Sequence, residues 1–144
     1  IADLKSGTNN FANPPQRSEF LFTSLEAPSN WNDNYGIRMS GWLVPPVTGN
    51  YVFWIASDDS GEMWLGTDAD PGSKGLICRV SSWSSKREWD KNAEQKSGSI
   101  FLVAGQAIYY EVSSLINQGS GRFFFFAQNE AKLLHRSSLF DRPS

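Results

Sequence analysis

Two adjacent carboxylates, Asp58 and Asp59, close an aromatic run and are the residues of this chain best placed to do chemistry. One shared loop does not give them a glycosidase geometry, because an acid and its partner carboxylate must flank a sugar about 5 to 9.5 Å apart. His135 is the only histidine and lies near the end of the chain. Neither a histidine cluster for zinc nor a histidine-based triad can be assembled around it. Cys78 is the only cysteine, so no internal disulfide exists, and with only Arg79 beside it to lower its pKa it reads as a small buried hydrophobe. No nucleophile stands with a base, and the chain reads as non-enzymatic. The plainest role for two aspartates at a strand end is to accept from backbone donors of their own loop.

The pair sits inside residues 41–65, GWLVPPVTGNYVFWIASDDSGEMWL. Ile37, Met39, Gly41 and Leu43 alternate with Arg38, Ser40 and Trp42, the period-2 pattern of a strand with one buried face. Pro45 and Pro46 end it by removing backbone donors, and Thr48, Gly49 and Asn50 supply a turn. Residues 51–57 then form a strand apolar on both faces, as a central sandwich strand would be. After the aspartates come short strands at 62–66 and 76–80, the second carrying Cys78 on the same face as Leu76 and Val80. Residues 81–98 are polar and serine-rich, a long loop with one helical turn, where Trp83 and Trp89 are candidate binding residues. Strands at 99–103 and 108–112 are joined by a hairpin link at 104–106, and 123–126 closes the set. Trp42, Trp54 and Trp64, within strands, read as core.

Seven or more short strands with Gly and Pro turns predict an all-β sandwich or barrel of antiparallel strands. The chain has 144 residues, 40% of them hydrophobic, enough for one core and too few for two ordinary domains. We expect a single domain over 1–144, with an arm at 1–19 carrying little structure, a short strand within 20–25, a core over about 20–127, and a tail or linker at 130–144 with a brief helical or strand piece at 131–135. The chain begins at Ile1 and reads as a piece of a longer protein. A net charge of −2 with no Lys/Arg cluster excludes nucleic acid and an anionic membrane surface as partners. No apolar run approaches the roughly 18 residues of a helical span, so membrane insertion by a helix is not expected.

The order of features over 41–65 resembles the PA14 domain family: a proline-containing turn, Thr48 and Gly49 before an aromatic strand, two aspartates at its end, then Glu62 and Leu65 in Glu-x-x-Leu. Ser29-Asn30-Trp31, Thr67 to Pro71, Gln95-Lys96-Ser97 and the run from Leu102 to Gln106 before Tyr109 and Tyr110 extend the resemblance over about 20–127. It implies a β-sandwich module of secreted or cell-surface proteins, among them adhesins, carbohydrate-active enzymes and fibrocystin-like ectodomains. In sugar-binding members two successive aspartates joined by a cis peptide hold Ca²⁺, which holds a sugar by its hydroxyls. That implies Asp58 and Asp59 as metal ligands, with Asn117 completing the site from a second loop and Gln118 beside it as a ligand contact. Ca²⁺ takes six to eight oxygens, which carboxylates, amides and carbonyls supply. Trp83, Trp89 or Trp31 would stack on the sugar. The sequence departs from the family pattern at Arg122, where an acidic residue is expected, and a cation there would compete with the ion. Glycans or cell-surface polysaccharide, and other domains of the same parent chain, are the implied partners. The alternative is a non-catalytic structural or protein–protein interaction module on the same fold.

Overall fold

A computed structural model of the chain describes residues 17–21, 34–117, 123–128 and 132–141, with side chains over 34–117. The described residues form nine strands, antiparallel throughout: β1 (Arg17–Leu21), β2 (Tyr35–Val44), β3 (Gly49–Ser57), β4 (Gly61–Leu65), β5 (Gly75–Val80), β6 (Ile100–Leu102), β7 (Ile108–Ile116), β8 (Phe123–Gln128) and β9 (Lys132–Asp141). They form a six-stranded sheet, β1-β9-β2-β7-β4-β5, and a three-stranded sheet, β6-β3-β8. The fold is all-β, and β3 is the middle strand of the smaller sheet.

Alternation explains the layers. Ile37, Met39 and Leu43 of β2, Met63 and Leu65 of β4, and Tyr110, Val112 and Ile116 of β7 meet Tyr51, Phe53 and Ile55 of β3 in one buried cluster. Each fully buried side chain of this size is worth about 1.5–3 kcal/mol. β7, the strand between β2 and β4, is buried along nearly its whole length, including Ser113 and Ser114. Cys78 is buried as expected, and burial pushes its thiol up to about 12.

Several expectations change. Residues 130–144 are not a plain tail: most of them form β9, which lies between β1 and β2 and pairs with both. The described N-terminal strand is Arg17–Leu21, which begins inside the expected arm and overlaps the strand expected within 20–25 only at Phe20 and Leu21. Residues 104–106 are not a hairpin link, because β6 belongs to the smaller sheet and β7 to the larger. The chain crosses between sheets there, turning at Gly105 (φ +77°), whose N–H donates to Pro45 O at 2.9 Å. A register shift after Met63 places Met63 opposite Cys78 and Trp64 opposite Leu76. This bulge turns Leu76 outward, 42% exposed, and packs Ile77 against the core. Trp42, Trp54 and Trp64 are not core residues. Trp42 is exposed and the other two are half-buried, on the faces turned away from the core.

Candidate functional site

The chain leaves the smaller sheet at Ser57 and enters the larger one at Gly61, so Asp58, Asp59 and Ser60 span the corner between sheets. Strand registers bring four other ends to the same corner. Gly61 faces both Val80, the end of β5, and Ser114; Ile116, the end of β7, faces Tyr35; and Phe123, the start of β8, faces Ser57.

Buried serines lock the corner. The Ser57 and Ser114 hydroxyls are 2.6 Å apart, Ser57 N–H donates to Ser84 Oγ at 3.0 Å, and Ser84 N–H donates to Ser57 O at 2.7 Å. A Cβ on Gly61 would lie 2.9 Å from Ser57 Oγ, so only glycine lets β4 start this close to β3. The peptide between Asp58 and Asp59 is cis, the linkage that the resemblance implies for this pair. Asp59 N–H donates to Leu115 O at 3.2 Å, and Leu115 N–H donates to Ser60 O at 3.0 Å, tying the loop to β7.

Four of the expected site residues come together here. Asp58 pairs with Trp83 in an isolated antiparallel bridge. Asp59 Oδ2 accepts from Asn117 N–H at 2.7 Å, while Asn117 O accepts from Asn34 N–H at 3.3 Å. Asn117 is therefore joined to the pair through its backbone N–H, a donor from the end of β7 and not from the aspartates' own loop. Trp89, half-buried in the same loop, is not among the residues these contacts bring together. Gln118, Arg122 and Trp31 lie outside the described residues.

Both aspartates are half-buried and accessible. Burial pushes the Asp58 carboxyl above its ordinary value, the Asp59 charge adds to this, and the Lys91 ammonium opposes it. Lys91 was not legible from the sequence: it is eight residues beyond Trp83, yet its Nζ lies 2.9 Å from the Trp83 ring centroid. Trp83 itself is 49% exposed.

The donor set suits a hard cation. Asp58 and Asp59 offer carboxylate oxygens, the ligand type that a hard cation takes. Among the described residues no group of three His, Cys, Asp or Glu side chains is gathered, so carbonyls, amides, water or a ligand's hydroxyls would fill the remaining positions.

Residues 3–69 match the PA14 domain family. The chain is 34% identical over 94 residues to mouse N-acetyl-beta-glucosaminyl-glycoprotein 4-beta-N-acetylgalactosaminyltransferase 1, covering 62% of this chain and 9% of that protein. It is 31% identical over 81 residues to dog fibrocystin, covering 51% of this chain and 2% of that one. The chain thus spans less than a tenth of the curated relatives it matches. Among solved structures, the A domain of Candida glabrata epithelial adhesin 9, in complex with Galb1-4GlcNAc, superposes with a TM-score of 0.54 at 16% identity, covering 72% of this chain and 52% of that one. The A domain of epithelial adhesin 6, in complex with Galb1-3GlcNAc, gives 0.53 at 15% identity, covering 78% and 54%. These likenesses concern the fold.

Proposed function

This chain belongs to the PA14 domain family, and we propose that within it the domain is a calcium-dependent carbohydrate-binding module of an extracellular or cell-surface protein, without catalysis of its own. The observation that carries this reading is the corner itself, where Asp58 and Asp59 stand accessible between Trp83 and Asn117. Two like charges on successive residues repel, and a divalent cation bound between them relieves that repulsion. Asp58 and Asp59 would hold the ion, with Asn117 contributing oxygen from the end of β7. The ion would supply an electrophilic centre to which vicinal hydroxyls of a pyranose bind in place of water. Trp83 would offer an apolar face to the ring. Two of the solved structures with this fold hold galactose-containing disaccharides, which supports a glycan as the ligand class.

Melting with calcium and with EGTA tests the first half. A micromolar site in millimolar calcium adds about 4 kcal/mol by linkage, a rise of roughly 10 °C in Tm for a domain of this size. Asp58→Asn with Asp59→Asn should abolish the rise. An unmoved Tm in the unaltered protein sinks the calcium reading. A glycan array in calcium tests the second half.

A second reading has one observation in its favour. Val47, Phe101 and Val103 are 65%, 64% and 43% exposed. They share the corner where Gly49 pairs with Leu102 and Ala104 N–H donates to Thr48 Oγ1. This apolar corner is at the other end of β3, roughly 26 Å from the aspartates. A protein–protein interaction module would use such a surface, and an array with no glycan bound would favour it.

A further inference from the structure

Lys91 reaches the site from the long loop after β5, and its ammonium lies over the ring of Trp83, whose backbone is bridged to Asp58. It is an exposed side chain. A ligand held at the aspartate pair and reaching Trp83 meets this cation.

The consequence depends on charge. Without an ion, Lys91 partly balances two carboxylates. With a divalent ion bound, the carboxylates are already neutralised, and the ammonium remains as excess positive charge beside the ion. A neutral pyranose brings only hydroxyls to that position, and must also displace the ammonium from the ring face it covers, losing a cation–π contact. A sugar carboxylate instead accepts from the ammonium while its hydroxyls face the ion. We propose that Lys91 is a specificity-determining residue that makes this an acidic-glycan site, selecting uronic or sialic acids over neutral sugars. The proposal rests on the calcium-dependent glycan reading above.

The test is an array of neutral, uronic acid and sialylated glycans, probed in calcium with the unaltered domain, Lys91→Ala and Lys91→Arg. Acidic glycans should lead the neutral counterparts by about two- to fivefold in the unaltered domain, the strength of an exposed charge pair. Lys91→Ala should lose that preference, and bind neutral glycans as well as before or better. Lys91→Arg keeps the charge and should keep the preference. Glycan binding with a preference that survives Lys91→Ala, or with no acidic preference at all, overturns the role of Lys91 and leaves the carbohydrate reading standing. No glycan bound by any of the three overturns both.

Discussion

A methyl group added to Gly61 would land 2.9 Å from both Cβ and Oγ of Ser57, and Ser57 cannot yield because its hydroxyl is held 2.6 Å from that of Ser114. Gly61→Ala should therefore push β4 away from β3 at the corner that carries Asp58 and Asp59, at about 1–3 kcal/mol of stability. Gly98→Ala is the control, since nothing lies within 4 Å of its added Cβ. Urea melts of the two variants check this, and a Gly61→Ala protein as stable as the control would show that the corner is not rigid. At this scale the sequence was informative where residues are neighbours in the chain. Asp58 and Asp59 are adjacent and needed no fold to be associated. Asn117 required the family resemblance, and the structure joins it to Asp59 by a backbone N–H that no side-chain reading could supply. Lys91 carried no signal at all, because its position over Trp83 follows from the path of a loop.

The loop over 81–98 takes the place of a strand. β6 pairs with β3 only at Gly49, Asn50 and Tyr51, leaving the rest of that edge of β3 without a strand partner. Loop residues continue the ladder: Ser97 N–H donates to Phe53 O at 2.9 Å and Phe53 N–H to Ser97 Oγ at 2.9 Å. Farther along, the Gln95 amide donates to Ile55 O at 3.0 Å, and Ser84 closes the edge at Ser57. Gln95 is fully buried; its amide also donates to Glu88 O at 2.7 Å and its carbonyl accepts from Asn92 N–H at 2.8 Å. Gln95→Ala would orphan three buried or half-buried backbone groups, and a loss of about 2–4 kcal/mol is expected. Because the same loop carries Trp83, glycan affinity should fall with it. Thermal melting and amide exchange at Asn92, whose N–H the Gln95 carbonyl accepts, and at Ser97, whose N–H donates to Phe53 O, test this; unchanged protection at both would refute the edge role. The polar composition of the loop concealed it, since a ladder built from Ser and Gln side chains has no hydrophobic period. Similarly, β7 was expected to stop at Val112 because Ser113 and Ser114 interrupt its apolar run, yet Ser114 is satisfied by Ser57 across the corner. β9 was legible only as a brief helical or strand piece at 131–135, because its partners β1 and β2 lie about a hundred residues away in sequence.

At the scale of the whole molecule, the described chain changes sheets at 45–48, at 58–60, at 81–99 and at 103–107, and these crossings distinguish a two-sheet sandwich from a stack of hairpins. Away from the core, the six-stranded sheet carries a buried carboxylate, Glu111 on β7. It accepts from Arg38 Nη2 of β2 at 3.0 Å, from Lys74 Nζ ahead of β5 at 2.7 Å and from the Tyr109 hydroxyl at 3.1 Å. Burial alone would raise its pKa, but the Lys74 hydrogen bond and the Arg38 and Lys74 charges, with Tyr109, hold it below the ordinary value of 4.5. A carboxylate held lower in the folded state than in the unfolded one stabilises the fold above pH 4.5, and that stabilisation is lost as pH falls through the folded value. Glu111→Gln removes the charge that Arg38 and Lys74 share, and should cost about 1–3 kcal/mol at neutral pH, these cations being partly solvated. The difference between the two proteins should then shrink on acidification, since protonated Glu111 and the neutral amide leave the same cations without an anion. Urea denaturation of both from pH 7 to about pH 3 measures it. A difference that stays constant across that range would mean that Glu111 acts by packing, and that charge does not join β2, β7 and the approach to β5.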